Sequence, residues 1–359
     1  MNNKKILIYL HFLKSGAGKS AVAYANTLSK NGFDVAVVSS TSSPKILGML
    51  DRGVDVYLTD SRRAYHAIPS LCRKLKEYKP DVVLVVGGGN SYSYLFASLI
   101  SGVENKLVIR EAVSQKILIE SENNYFICIL KKLLLKKAYN KACNIIALTK
   151  DMRDEIINYW GVPEDRVVLI PNGVVVPPHS HGPKSNPDVP MILSVGRLQP
   201  QKDHETLLKA FTMIRAKRPC RLVLVGDGKV RQRLERIAGE LGIEPDVQFL
   251  GHVDDVGPLY REARLTVLSS RYEGFPNVLI ESLAHGCPVV ATDCPTGPAE
   301  IINSNNVGLL AEVGNPNDIA DKILLALDSE YDIDGLISRA GDFSIENASK
   351  KIVKLFSDV

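Results

Sequence analysis

Short runs of Val, Ile and Leu, bounded by Gly, Pro, Asn or Asp, recur along the whole chain and alternate with stretches whose apolar residues return at helical spacing. Buried strands joined by crossover helices produce this pattern, with parallel sheets covered on both faces. Strands are predicted at residues 5–12, 34–40, 55–59, 81–87, 106–112, 144–149 and 167–171, and again at 191–197, 221–226, 247–251, 265–269, 288–292 and 308–311. The expected fold class is α/β, with two doubly wound parallel-sheet units in series. Between them residues 177–190 are dense in Pro and polar side chains and can sustain neither helix nor central strand. This divides the chain into an N-terminal domain over 1–178, a linker over 179–190 and a C-terminal domain over 191–340, with residues 341–359 expected as a helix packing back on the N-terminal domain. A hinge in the linker would let the units close on a ligand at the carboxyl ends of their strands.

Composition narrows the class. A length of 359 residues suits two domains, and 45% hydrophobic with 23% charged residues is a globular balance that excludes disordered, collagenous and coiled-coil chains. A formal charge of +4 is small for this length and does not suggest a nucleic-acid partner. The six cysteines (72, 128, 143, 220, 287 and 294) show no C-x-x-C pair or zinc spacing and read as reduced core thiols of a cytoplasmic protein. The apolar opening at residues 6–13 is too short to span a bilayer and lacks a cleavage pattern, and no segment has 18 uninterrupted apolar residues. The expectation is a cytoplasmic protein, at most peripheral on the inner face of the cell membrane.

Two strand ends carry the candidate chemistry. In Ser269-Ser270-Arg271-Tyr272-Glu273-Gly274-Phe275-Pro276-Asn277-Val278-Leu279-Ile280-Glu281, Pro276 suits a first helical position, so Glu273 lies at the helix mouth and Glu281 just over a turn inside. Both carboxylates can face one cleft, and Gly274 permits close backbone approach beside free helix-start amides. The alternative is an ordinary strand-loop-helix unit with solvated glutamates. In Ser194-Val195-Gly196-Arg197-Leu198-Gln199-Pro200-Gln201-Lys202-Asp203, Arg197 offers a planar fork and Lys202 a point charge at a strand-end rim, before a helix predicted from about Asp203. Fixed cations there would stabilise the charge developing on a leaving diphosphate.

These stretches, in this order and spacing, resemble the retaining family 4 glycosyltransferases of GT-B fold. The resemblance rests on Gly196-Arg197-Leu198 with Lys202, and on Glu273-Gly274-Phe275-Pro276-Asn277 with Glu281, a Glu-x7-Glu pair. Supporting matches are Pro171-Asn172-Gly173-Val174, Gly226-Asp227-Gly228, Phe249-Leu250-Gly251-His252 and Cys294-Pro295-Thr296-Gly297-Pro298-Ala299-Glu300. The resemblance implies an N-terminal acceptor domain and a C-terminal donor domain, both Rossmann-like and facing a cleft. It implies that Arg197 and Lys202, beside Gly196, hold the donor diphosphate, that Glu281 binds the ribose and that Glu273 sits beside the transferred sugar. Amides from Gly274, Phe275, Pro276, Asn277 and Val278 onward would touch sugar or phosphate, and the base would lie near His252 and Val253. Glu273, Arg197 and Lys202 form the implied catalytic set. The implied reaction moves a hexose or N-acetylhexosamine from a UDP-sugar, with retention, to a saccharide on polyprenyl diphosphate during surface glycan synthesis. No cofactor or metal is implied, and no convincing Asp-x-Asp motif follows a strand. The stretch Asp293-Cys294-Pro295-Thr296-Gly297-Pro298 is similar to that of N-acetylgalactosamine transferases.

The N-terminal half offers less specific signals. Lys14-Ser15-Gly16-Ala17-Gly18-Lys19-Ser20 ends like a P-loop, but Leu13 stands where its first glycine is required. Gly16 and Gly18 either present amides on the acceptor side or simply form a tight turn. A dinucleotide fingerprint fails at Ala21, and no acid follows the second strand. Arg110-Glu111 is expected at an acceptor-side rim, where relatives often carry histidine, and no general base is assigned. Residues 125–141 carry five lysines and no acid among apolar residues. They form either a cationic helix lying on an anionic membrane or an ordinary domain helix with solvated lysines. A nucleotide-sugar epimerase or hydrolase, and a non-catalytic sugar-binding protein, remain as alternatives; the joint presence of Arg197, Lys202, Glu273 and Glu281 stands against them.

Overall fold

The computed structural model describes residues 4–13, 15–61, 63–177 and 189–359. Lys14 and residues 179–188 of the predicted linker lie outside the described residues. The chain forms two compact units, Met1–Gly173 with Glu346–Val359, and Val174–Ile345.

In the first unit the strands are β1 (Lys5–Leu13), β2 (Asp34–Ser42), β3 (Val54–Leu58), β4 (Val82–Val86), β5 (Lys106–Arg110), β6 (Asn144–Ala147) and β7 (Val167–Leu169). All pair in parallel in the order β3-β2-β1-β4-β5-β6-β7. The central strand β4, Val-Val-Leu-Val-Val, is buried at every position, as a strand covered on both faces requires. Its helices are α1 (Ser15–Lys30), α2 (Pro44–Leu47), α3 (Ile68–Tyr78), α4 (Ser91–Ser101), α5 (Gln115–Glu120), α6 (Tyr125–Lys141) and α7 (Lys150–Asp154).

The second unit repeats the design with β8 (Met191–Val195), β9 (Arg221–Val225), β10 (Val247–Gly251), β11 (Leu265–Leu268), β12 (Val289–Thr292) and β13 (Gly308–Ala311), in the parallel order β10-β9-β8-β11-β12-β13. Helices α8 (His204–Lys217), α9 (Arg231–Glu240), α10 (Gly257–Glu262), α11 (Asn277–Ala284), α12 (Pro298–Ile301), α13 (Pro316–Asp328) and α14 (Ile333–Gly341) belong to it. The last helix, α15 (Ile345–Asp358), returns to the first unit, where Ile352, Leu355 and Phe356 join the core of Ile6, Ile8, Val35 and Leu84.

Every predicted strand is present, with several ending one or two residues early. Residues 111–112, 196–197 and 226 lie beyond their strands, because there the chain leaves the ladder to form the loops at the carboxyl edge. In both sheets the strand order reverses beside the first strand, between β1 and β4 and between β8 and β11. Open α/β sheets bind ligands at that reversal.

The packing of α6 departs from an ordinary domain helix. Only Leu135, Ala138 and Tyr139 are buried, while Tyr125, Phe126, Ile127, Ile129, Leu130 and Leu133 are exposed.

Candidate functional site

The predicted cation and carboxylate meet at the reversal of the second sheet. Lys202 follows β8 and Glu273 follows β11, strands that are neighbours. Lys202 Nζ donates to Glu273 Oε1 at 2.5 Å, and both side chains are largely buried. Ser270 Oγ donates to the same carboxylate oxygen at 2.5 Å. An ion pair so shielded has its partners fixed in direction, since water cannot compete for them.

The backbone around the pair is stitched from both strand ends. Ser269 Oγ donates to the Lys202 carbonyl at 2.8 Å, Arg271 N to the Gln201 carbonyl at 2.8 Å, and Gln201 Nε2 to the Tyr272 carbonyl at 2.7 Å. Arg271 forms a 2.9 Å ion pair with Asp203. From the β12 side, Glu273 N donates to the Pro295 carbonyl at 2.7 Å, and Thr296 Oγ1 to the carbonyls of Glu273 and Gly274 at 3.2 and 3.0 Å. The Lys202 stem lies over Gly196, where a Cβ would stand 3.4 Å from Lys202 Cε.

Beneath the lysine, His204 opens α8 and is buried. Burial first, and then the charge of Lys202, push its imidazole down to about 4, so it is neutral near pH 7.

Arg197 sits on the rim differently. Its side chain is exposed and makes no hydrogen bond or ion pair with the described residues, leaving the guanidinium free for an oxyanion. Its loop is clamped by the neighbouring one: Leu198 N donates to the Asp227 carbonyl at 3.0 Å, and Val230 N to the Leu198 carbonyl at 3.2 Å.

Helix α11 begins at Asn277, with Pro276 preceding its first residue rather than occupying it. The Asn277 amide reaches back to the Phe275 carbonyl at 2.9 Å, which sets the turn one residue later than expected. Gly274, Phe275 and Pro276 are buried, and Asn277 and Val278 half-buried. Glu281, one turn in, accepts from Tyr260 OH at 3.2 Å, and its carbonyl lies 2.8 Å from His285 Nδ1. Tyr260 stacks on His285 with ring centroids 5.5 Å apart, and burial with the Glu281 charge holds the phenol well above its ordinary value. The hydrogen bonds therefore form two groups, Lys202–Glu273–Ser270 and Glu281–Tyr260–His285, with none between them among the described residues. His252 stands exposed after β10, 3.3 Å from Asp254, and Val253 packs against Met191, Leu193 and Tyr260.

The acceptor-side residues belong to the first unit. A Cβ on Gly18 would stand 2.9 Å from the Leu13 carbonyl carbon, whereas Gly16 faces open space. Gly18 thus has a packing reason to be glycine.

Arg110 and Glu111 do not form an exposed rim; both are buried. Arg110 donates through Nε to Tyr24 OH at 3.4 Å and through Nη2 to Asn172 Oδ1, which also accepts from Ser20 Oγ at 3.3 Å. Arg110 Nη1 has no hydrogen-bond partner among the described residues. Glu111 accepts from Tyr139 OH at 2.7 Å, from Gly88 N at 3.1 Å and from Gln115 Nε2 at 2.8 Å. Burial lifts its carboxyl to about 7 against these stabilising donors, with Glu155 adding to the rise. The correction follows from chain position: the strand end turns inward under neighbouring helices, so side chains placed at a rim by sequence are sealed in.

Sequence reasoning passed over Ser270, His204, Tyr260 and His285 as site residues. Ser270 and His204 lie inside the quoted motif neighbourhoods and were available from them. Tyr260 and His285 meet Glu281 only through the packing of α10 on α11, which no local pattern encodes. No group of three or more His, Cys, Asp or Glu converges as a metal site among the described residues.

Two parallel-sheet units, with a buried Lys–Glu pair and an unpaired arginine after the strands at the second sheet's reversal, put charged side chains where open α/β sheets bind ligands. Comparison with known proteins gives the family. Residues 14–176 match the family model "Glycosyltransferase Family 4", and residues 177–341 match "Glycosyl transferases group 1". The chain is 30% identical over 264 residues to the Campylobacter jejuni N-acetylgalactosamine-N,N'-diacetylbacillosaminyl-diphospho-undecaprenol 4-alpha-N-acetylgalactosaminyltransferase, covering 72% of this chain and 70% of that one. A second C. jejuni alpha-1,4-N-acetyl-D-galactosaminyltransferase is 27% identical with 99% of both chains covered. Among solved structures, Anabaena HepE in complex with UDP and glucose superposes with TM-score 0.81 at 19% identity, covering 99% of this chain and 100% of that one. The chain belongs to the family 4 glycosyltransferases of GT-B fold.

Proposed function

We propose that this glycosyltransferase moves a hexose or N-acetylhexosamine from a UDP-sugar, with retention of configuration and without a metal, to a saccharide carried on polyprenyl diphosphate in surface glycan synthesis. The observation that carries the donor half is the Lys202–Glu273 pair beside the free Arg197 guanidinium at the sheet reversal. A diphosphate arriving there meets two cations, one already oriented by a carboxylate. The relatives named above act on undecaprenol-diphosphate-linked sugars by their names, which supports the acceptor class.

In this reading the bond between the anomeric carbon and the β-phosphate oxygen breaks as the acceptor hydroxyl oxygen attacks the same face. The hydroxyl proton passes to the leaving diphosphate, and Arg197 and Lys202 stabilise the charge left on it. Glu273 orients Lys202 and lies beside the sugar, and Glu281 accepts from the ribose hydroxyls. In this reading protein cations rather than a metal ion meet the phosphate charge.

Calorimetric titration of UDP, GDP and ADP, with and without EDTA, tests the donor assignment. UDP alone is expected to bind, equally well in EDTA. Lys202→Ala and Arg197→Ala are each expected to lower kcat/KM by about a hundredfold or more; the exposed Arg197 variant keeps the melting temperature, whereas Lys202→Ala lowers it by leaving the buried Glu273 carboxylate unpaired. Near-normal turnover in both variants, or binding abolished by EDTA, removes the assignment. The anomeric configuration of the product, read by NMR, separates retention from inversion.

A further inference from the structure

Helix α10 meets α11 through one aromatic side chain. Tyr260 is 1% exposed, its ring seated among Met191, Leu193, Val225 and Cys287 and stacked on His285. His285 is held in turn by its own helix: Nδ1 lies 2.8 Å from the Glu281 carbonyl, which can only accept, so Nδ1 carries a proton. The Tyr260 hydroxyl donates to Glu281 Oε2 at 3.2 Å. It keeps its proton, because burial and then the Glu281 charge hold the phenol well above its ordinary value. Glu281 is half-buried, and among the described residues Tyr260 is the one side chain that donates to its carboxylate. A carboxylate can accept at about four lone-pair positions, so most of its capacity stays open.

We propose that Tyr260 is the positioning residue of a ribose subsite: by fixing one oxygen of the Glu281 carboxylate it keeps the remaining acceptor positions set for a vicinal diol, and so selects a ribonucleoside diphosphate over one that lacks the diol. The proposal rests on the reading of Glu281 as the ribose acceptor and adds the group that acts through it. A glutamate side chain has three torsions, and holding a diol freezes them, at a cost of about twofold to tenfold in affinity when nothing has fixed them beforehand. Tyr260 removes that cost in advance, since its ring is itself locked between the sheet and His285. The chemistry of the anchor matters as well. A lysine or arginine in this place would neutralise the carboxylate, whereas a neutral hydroxyl leaves the negative charge to the diol, whose bonds to it are charge-assisted. The Glu281 group shares no hydrogen bond with the Lys202–Glu273 group among the described residues, so ribose recognition can be altered without touching the cation that meets the phosphates.

The test is calorimetric titration of the full chain with UDP and with the UDP analogue lacking both ribose hydroxyls. The wild type is expected to bind UDP about tenfold or more tighter than the analogue. Tyr260→Phe keeps the ring on His285 and is expected to weaken UDP about threefold to tenfold while leaving the analogue unchanged. His285→Ala, which loosens the same ring from a half-buried position, is expected to shift the preference in the same sense. Glu281→Ala is expected to bind the two nucleotides equally, and adding Tyr260→Phe to it is expected to cost nothing further, as for residues acting through one contact. A tyrosine that only filled the core would move both nucleotides alike. A wild-type preference for UDP that survives in Tyr260→Phe and His285→Ala therefore overturns the proposal, as does equal weakening of both nucleotides. If the preference disappears in Glu281→Ala but persists in those two variants, the ribose reading stands and this inference alone fails. A wild type that does not distinguish the two nucleotides removes the ribose reading of Glu281, and the inference with it.

Discussion

Glu111 shows how far burial moves a single group. It is enclosed by Tyr139, Gly88 and Gln115, and its carboxyl is lifted from 4.5 to about 7. Between those values the folded chain holds a proton that the unfolded chain has released. Stability from this group is therefore full below about pH 4.5 and is lost as pH rises through 7, by about 3 kcal/mol. His204 acts in the opposite direction: with its folded value near 4 against 6.5, stability is lost as pH falls through that window. Glu111→Gln keeps an acceptor for Tyr139 and removes only the first effect. Compared by urea unfolding at pH 5 and pH 8, the variant is expected to gain about 2–3 kcal/mol over wild type in the difference between the two pH values. An identical pH response in the two proteins would show Glu111 to be no more shifted than a surface carboxylate.

At the scale of elements, the donor-side loops are held by close backbone approach. A Cβ on Gly228 would stand 2.2 Å from the Leu198 carbonyl oxygen, and one on Gly226, at φ +130°, 2.0 Å from that of Gly196. The loop after β9 thus lies directly on the loop that presents Arg197. Gly228→Ala meets backbone that cannot rotate away, so the Arg197 loop must shift. The variant is expected to lose about 1–3 kcal/mol of stability, and its UDP affinity is expected to fall with it. Wild-type UDP affinity would separate this loop from the donor site.

These elements also show where sequence reading succeeds. Runs such as Val82–Val86 and residues 222–225 are apolar at consecutive positions because both faces are covered, so strand number and order of appearance are visible in one dimension. The Lys202–Glu273 meeting follows once each is placed at a strand end, since β8 and β11 are neighbours at the reversal. Burial of Arg110 and Glu111 does not follow, because it depends on α1 and α6 closing over β5 from distant sequence. Which apolar residues of α6 are covered is hidden for a related reason, because only packing decides it.

On the scale of the whole molecule, the second unit interrupts the first. The chain leaves the first unit after Gly173 and re-enters it at Glu346, and the leaving and returning segments are joined where Val174 N donates to the Phe343 carbonyl and Ile345 N to the Val174 carbonyl. The first core is therefore complete only with residues from both ends of the sequence, Ile6 and Ile8 packing with Ile352 and Phe356. Phe356 is fully buried, and its truncation to Ala leaves a cavity costing about 3–5 kcal/mol in that unit. Trp160, the single tryptophan, lies in the first unit, whereas the buried thiols of Cys220 and Cys287 lie in the second, so the two can be followed separately. Under urea, Phe356→Ala is expected to move the Trp160 fluorescence transition to lower concentration while labelling of Cys220 and Cys287 keeps its wild-type midpoint. If thiol labelling moves by the same amount, the two units unfold as one, and α15 stabilises the second unit as much as the first.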